Sequence, residues 1–461
     1  MDNTLPANPN SPDTMRKPER VAWGVLLIAF AVFCLTCVFS TVAVYWFFFE
    51  SRVPMDVVTE PSRGTLGLRA PGLPERVVRG TEELPAGNAI RPNQLDSQAV
   101  IAFADPYLEG KTIATVMLKG GESAITLVTA ERPRFEWGSP VYEIRMENVE
   151  GDIDVHVAQD STISLTFDMI TIQGDRVSFG KSGKYSILTT DSMLQVTNHQ
   201  GEAALIPHDQ NQGWPISAGS TSRVMNDSSA VIPAEMPENL LENGTFQAVV
   251  GEQPDKWGCR PGVQNLPSSR FITGFLDGQP ILQFLRGDNA TTNGETSCIQ
   301  GLQSGDEWID VSDYDSLILR IMFQIESQSL SVCGEIGTEC PLMVRIGYIP
   351  EELPEDCETE SDAEVCGREL IYGFYAALDP TRDYPLRCEF CLQPHIFVQP
   401  GVWYTYESEN IMSILPDGER PRAISYVRFY ASGHEYDTRV SEVQLLAGDN
   451  QRATLTDAIT P

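Results

Sequence analysis

The chain has 461 residues and carries 64 acidic against 32 basic side chains, a formal charge of −32. A surface this negative repels polyanions, which excludes nucleic acid as a partner. The length suffices for two independently buried cores, and eight of the ten cysteines lie in the C-terminal half, a distribution that points to an oxidising compartment.

Residues 1–20 are polar and proline-punctuated, lack an apolar period, and read as a disordered cytoplasmic tail. Residues 21–49 form an uncharged, predominantly apolar run directly after Arg16, Lys17 and Arg20. A helix needs about 20 such residues to cross a hydrocarbon core of about 30 Å, so the run predicts a single transmembrane signal anchor. Trp23 and the pair Tyr45 and Trp46 sit near its ends, where amphipathic rings favour the headgroup level. A cleaved signal peptide is the alternative. Its apolar stretch is shorter, roughly 7–15 residues, and Thr41-Val42-Ala43 is a poor cleavage match. Neither Cys34, after Phe33, nor Cys37, after Thr36, has the small neighbour that a lipid-anchor site wants. The basic residues before the run put the N-terminus in the cytoplasm, although Arg52 and Arg63 weaken the asymmetry. The expected location is a cell membrane, single-pass, with the C-terminal bulk extracytoplasmic and the bilayer itself as a partner.

Residues 50–62 read as a stalk. Across 63–224, short alternating runs at 99–103, 113–118, 141–146, 153–157 and beyond are broken by Gly, Asp, Asn and Pro. Such spacing, about 8 to 12 residues with turn signals between, predicts an all-β region. Residues 225–239 change character, with Asn226-Asp227-Ser228-Ser229 and Ile232-Pro233, and read as a linker. A second β region covers 240–446, with strands at 281–285, 317–323, 342–348 and 426–430 and a closing strand at 440–445. Residues 447–461 read as a tail. The fold class is therefore an all-β ectodomain on one N-terminal transmembrane helix.

Cys34 and Cys37 lie in the apolar run and pack as small hydrophobes. The other eight form an even set, which beyond a signal anchor reads as disulfides. Pairing sequence neighbours joins Cys333 to Cys340, Cys357 to Cys366 and Cys388 to Cys391, leaving Cys259 with Cys298. The rival reading is zinc. Cys388-Glu389-Phe390-Cys391 has ligand spacing, and Cys333 with Cys340 could complete a four-thiolate set. A thioredoxin-like use of Cys388 and Cys391 lacks the βαβ context it needs.

The region 63–224 resembles the periplasmic FecR-type domain. The resemblance is carried by Arg63-Gly64-Thr65-Leu66-Gly67, by Asp96-Ser97-Gln98-Ala99-Val100-Ile101-Ala102-Phe103 and by Met193-Leu194-Gln195-Val196. It continues in His199-Gln200-Gly201-Glu202-Ala203 and Pro215-Ile216-Ser217-Ala218-Gly219. It implies a β-solenoid or sandwich body, and it includes regulators that pass an envelope signal to a sigma factor. A twenty-residue tail is too short to grip such a partner. The region 240–446 resembles the jelly-roll, galactose-binding-like carbohydrate-binding modules. Here the carrying residues are Asn239-Leu240-Leu241-Glu242-Asn243-Gly244-Thr245-Phe246 with Trp257, and Trp308-Ile309-Asp310-Val311-Ser312 leading into an apolar strand. Such a sandwich pairs its first and last strands. The resemblance implies a structural calcium where those strands meet; Glu442 is the obvious late carboxylate, while Gln247 stands where a Glu commonly follows the Phe.

No catalytic signature stands out, and the five histidines are scattered singly, so no enzymatic activity and no further cofactor is expected. For ligand binding, flat rings that can stack on sugars are the informative residues. Trp403, Tyr404 and Tyr406 are the candidates, with Tyr384 and Tyr430; ordinary packing is the competing reading, and alternation cannot put Trp403 and Tyr404 on one face. The sequence thus predicts a membrane-tethered extracytoplasmic binder or sensor whose distal jelly roll recognises a glycan or another envelope component. The alternatives are a FecR-type signalling regulator acting through a membrane partner and a structural envelope scaffold.

Overall fold

The computed structural model describes residues 16–448, apart from 95–96, 109–111, 136–140, 159–163, 181, 227, 235, 263–266, 277–278, 288, 305–306, 354–356, 358–366, 380 and 382. Most of the predicted N-terminal tail and nearly all of the predicted 447–461 tail lie outside the described residues. The chain divides into two compact units, one within Met1–Pro54 and Glu131–Val141, the other within Met55–Ala130 and Tyr142–Pro461.

In the first unit, helix Arg16–Tyr45 continues into a wider π-helical turn, Trp46–Glu50. Its apolar portion, Val21–Glu50, is long enough to cross a membrane, and none of it is buried in the protein. At the helix end the rings of Phe47 and Phe48 pack on Phe135, 5.7 and 5.3 Å between centroids. The Arg134 amide donates to the Ser51 carbonyl at 3.0 Å, and the short strand Arg52–Pro54 pairs antiparallel with Glu131 to Pro133.

The second unit is all-β and holds two cores. The first lobe is antiparallel, with several neighbouring strands that are not consecutive in the chain. Asp56–Arg63 pairs with Gln98–Ala104, which pairs in turn with Thr112–Pro133; Val141–Val157, Gly183–Thr189, Met193–Gln200, Ser220–Met225 and Val231–Ala234 are successive neighbours. Alternation sends Ile153, Val155, Tyr185, Ile187 and Val196 into a core with Phe103 and Phe167, while the intervening residues face the other way. The segment expected as a stalk therefore contributes a strand, because Val57 and Thr59 alternate inward. The expected linker also contains strands, Val231–Ala234 and Glu238–Asn239. Pro233 is tolerated there because its strand pairs on one side, with Ser220–Met225.

The second lobe is a jelly-roll-like sandwich of two sheets. One orders Arg270–Leu276, Gln279–Arg286, Tyr436–Gly448, Ser316–Gln328 and Tyr404–Glu407, with Glu238–Asn239 alongside Tyr436–Gly448. First and last strands thus lie side by side and cover an edge. The other orders Gly258–Arg260, Gly294–Gly301, Pro421–Gly433, Leu342–Pro350, Arg368–Tyr375 and Ile396–Phe397. Leu319, Phe323, Val344 and Phe429 fill the space between them. The Asn243-Gly244 turn is held by the Trp257 indole, which donates to the Asn243 carbonyl at 3.2 Å. A Cβ on Gly244 would meet the Val443 carbonyl oxygen at 2.0 Å, so only glycine fits this approach to the closing strand.

Three disulfides join Cys259 to Cys298, Cys333 to Cys340 and Cys388 to Cys391. Cys357 is also disulfide-bonded, and Cys366 lies outside the described residues. Cys259 and Cys298 are register partners on adjacent strands, a pairing that the ladder itself brings together.

Candidate functional site

Alternation decides what the first lobe presents on the face opposite its core. Asp152, Asp154 and His156 project from one strand, Lys184, Ser186 and Leu188 from the next, then Gln195, Thr197 and His199, then Thr221, Arg223 and Met225. The outer face of the second lobe answers with Ile318, Arg320 and Met322 beside Glu442, Gln444 and Glu407. The two faces are packed together, and most of these charges are buried between them.

Lys184, Arg320 and Lys119 each have a partner in the opposite lobe. Lys184 Nζ lies 3.2 Å from Glu442 Oε2, with side chains only 3% and 2% exposed, and donates to Ser441 Oγ at 3.1 Å. Arg320 Nη1 lies 2.6 Å from Glu407 Oε1 and 3.5 Å from Asp154 Oδ1, and donates to Ser186 Oγ at 3.0 Å. Lys119 Nζ lies 2.9 Å from Asp154, 3.2 Å from Asp152 and 3.0 Å from Glu407. The Tyr404 hydroxyl donates to Gln98, and Val100 and Met117 of the first lobe join the core of the second.

These contacts set the protonation states. Burial raises the Asp154 and Glu442 carboxyls, but the surrounding cations outweigh it. Lys119 and Arg320 hold Asp154 below its ordinary range, and Lys184 and Arg320 hold Glu442 at about 2. Burial also lowers Arg320, and here Asp154 and Glu407 win and raise it. Burial lowers His156 to about 3, with Lys184 adding to it, and lowers His199 to about 4, with Arg320 adding to it. Both imidazoles are neutral at pH 7.

Beside this network the two faces part around a cavity of about 660 Å³. Leu188, Met193, Ile318, Leu446 and the Tyr314 ring make its apolar lining, and Gln195, Thr197, His199, Arg223, Glu238 and Asn410 its polar lining. The Tyr314 hydroxyl donates to Glu238 Oε2 at 2.7 Å. His199 Nε2 is 3.0 Å from Ser186 Oγ, while its Nδ1 and the Arg223 Nε are buried without a hydrogen-bond partner among the described residues.

The aromatic residues singled out in the sequence lie elsewhere. Tyr404 and Tyr406, two apart on one strand, point together into the sandwich core, against Phe323 and Phe374. Trp403 takes the other side and packs with Ile281 and Met322, 6.0 Å from the His156 ring. Tyr430 is buried beneath Arg345 and Arg428, whose guanidinium carbons lie 5.2 and 4.7 Å from its centroid. Tyr384 packs partly buried against the Cys333, Cys340, Cys388 and Cys391 cluster. None of Trp403, Tyr404, Tyr406 and Tyr430 is more than 8% exposed, so they do not form a solvent-facing platform. Glu442 does not fit the expected calcium site either: its carboxylate faces the Lys184 ammonium, which already neutralises it.

The network residues carried a signal in the sequence. Arg320 interrupts the apolar run Leu317-Ile318-Leu319-Arg320-Ile321-Met322-Phe323, and a charge inside such a strand demands a partner. The partners lie far away in sequence, and no local pattern names them.

No protein-family model matches the chain, and no curated protein matches it. Among solved structures, the chain is similar to a protein described as an anti-sigma factor from Parabacteroides distasonis, at 14% identity and a TM-score of 0.23. That match covers 32% of this chain and 59% of the other. It is similar to the family 11 carbohydrate-binding module of a Clostridium thermocellum cellulosomal cellulase at 13% identity and a TM-score of 0.24, covering 47% of this chain and 99% of the module. It is also similar to the CBM22-1 xylan-binding domain of Paenibacillus barcinonensis Xyn10C at 9% identity and a TM-score of 0.23, covering 47% and 98%.

Proposed function

We propose that the chain is a membrane-tethered, non-catalytic binding protein whose inter-lobe cavity takes a neutral oligosaccharide of the cell envelope. The observation that supports this most is the cavity itself, which is lined by both apolar and hydrogen-bonding side chains. Its volume falls within the roughly 300–1,000 Å³ of small-ligand sites. Sugar rings offer an apolar face and a rim of hydroxyls. The side chains of Leu188, Ile318, Leu446 and Tyr314 suit the first, and Thr197, Gln195 and Asn410 suit the second. Lys119 and Arg320 offset Asp152 and Glu407, and Glu238 and Glu409 outnumber Arg223, the cation among the lining residues, so the cavity offers an anion no net positive charge, which favours a neutral ligand.

Calorimetric titration with a panel of neutral oligosaccharides tests this reading. A ligand is expected to bind, and Thr197→Trp, which fills the cavity, should weaken it at least about tenfold, or about 1.4 kcal/mol. Tyr314→Ala should weaken it comparably. A panel without a binder, or binding that Thr197→Trp leaves unchanged, argues against the cavity as the site.

The tether is read as an uncleaved anchor, with the disulfide-bearing part outside the cytoplasm. Full-length protein is expected to stay with membranes through an alkaline carbonate wash, and deletion of residues 1–50 to release it. Recovery of the full-length gene product in the soluble fraction, shortened at its N-terminus, would identify a cleaved signal sequence instead.

A further inference from the structure

Two of the disulfides are neighbours in space. Cys333–Cys340 and Cys388–Cys391 share one buried cluster on the outer face of the sheet containing Leu342–Pro350, and His395 lies at both. The ligand atoms of Cys333, Cys340 and His395 all lie within 4.8 Å of one another, and so do those of Cys388, Cys391 and His395. His395 Nε2 is 3.5 Å from Cys391 Sγ. Its Nδ1 is buried without a hydrogen-bond partner among the described residues, so no protein acceptor explains the ring's position. The close approach depends on Gly373, where a Cβ would meet His395 Cδ2 at 2.5 Å and Cys340 Sγ at 2.8 Å.

We propose that His395 and the sulfurs of these two pairs form one metal site in the reduced protein, taking a single zinc ion through His395 and three thiolates. Zinc–sulfur bonds of about 2.3 Å and zinc–nitrogen bonds of about 2.0 Å put tetrahedral ligand atoms between three and four ångströms apart. Opening each S–S bond lets the sulfurs separate toward that spacing within a cluster already assembled. Thiolate and imidazole donors select zinc over magnesium or calcium. The conversion balances with a dithiol reductant. Two equivalents deliver four electrons and four protons to the two disulfides, leaving four thiols and two oxidised dithiols. Zinc then displaces three protons from three thiols and binds neutral His395, and the fourth thiol keeps its proton. Within the Cys388–Cys391 turn Phe390 is 78% exposed while the cysteines themselves are buried, so this turn, nearest the solvent, is where a reductant would have to enter.

Cobalt(II) is the probe, added to the reduced full-length chain in detergent under anaerobic conditions. The expected result is one cobalt per chain, with thiolate-to-metal charge-transfer bands and the visible bands of a tetrahedral ion, both lost when zinc is added. His395→Ala should weaken cobalt at least tenfold, while Cys259→Ser with Cys298→Ser should leave it unchanged. Absence of the bands in reduced, folded protein overturns the proposal, and so does unchanged affinity in His395→Ala. If reduction unfolds the second lobe, far-ultraviolet circular dichroism decides: recovery of the β signal on adding zinc supports the site, and no recovery overturns it.

Discussion

Replacing Glu442 with alanine is expected to destabilise the protein by about 3–5 kcal/mol, the cost of leaving its partner's charge buried and unpaired. Lys184 would keep only the Ser441 hydroxyl and carbonyl, at 3.1 and 3.3 Å, as acceptors, and it would still feel the repulsion of Arg320. Burial already lowers the Lys184 ammonium from its usual range, and Glu442 is the main group opposing that shift. Without it, Lys184 either unfolds its surroundings or loses its proton. The double change Lys184→Met with Glu442→Leu removes both charges and keeps the volume, so its expected cost is near zero, or a gain of about 1–4 kcal/mol. Urea denaturation of the three variants measures this. A loss below about 1 kcal/mol for Glu442→Ala would mean that water reaches the pair and that the lobes are not sealed there. The consequence reaches function, because these residues come from opposite lobes and the cavity walls depend on the lobes being held.

Stability should also fall steeply on mild acidification. His156 faces Lys184, Gln279, Glu442 and the Trp403 ring, and His199 faces Ser186, Arg320, Glu442, Asp154 and Glu407. Burial, the dominant cause for both, holds them near 3 and 4, below the 6.5 of an unfolded histidine. The unfolded chain therefore takes up protons that the folded chain refuses, and stability is lost as pH falls below 6.5. The loss continues to about pH 4 for His199 and about pH 3 for His156. Each histidine contributes about 1.4 kcal/mol per pH unit within its window. Asp154 and Glu442 act in the same direction at lower pH. Their folded values lie below the unfolded ones, so their stabilisation is present above the unfolded value and lost beneath it. Denaturation at pH 7, 6 and 5 should show the slope, and His156→Gln should roughly halve it. A flat profile from pH 7 to 5 would mean that the imidazoles are hydrated in the folded protein.

The helix, the strands and the disulfide neighbours were legible in the sequence because each follows from short-range rules. Composition alone makes 21–49 apolar enough to span a bilayer, period-two alternation marks the strands, and cysteines three or seven residues apart meet without help from the fold. The stalk and linker were misread for a related reason. Asp56–Arg63 and Val231–Ala234 are short and carry proline, and only their pairing partners make them strands. The aromatic residues failed for the opposite reason: exposure is a property of what packs against a ring, and the rings of Trp403 and Tyr404 are covered from different directions. The charge network and the cavity belong wholly to tertiary structure. Lys184 meets Glu442 across 258 positions, and Arg320 meets Ser186 across 134. The sequence by itself determined which face of each strand is polar. Which polar face meets which was decided by the packing of the two lobes, since a buried charge fixes the need for a partner and says nothing of where along the chain that partner lies.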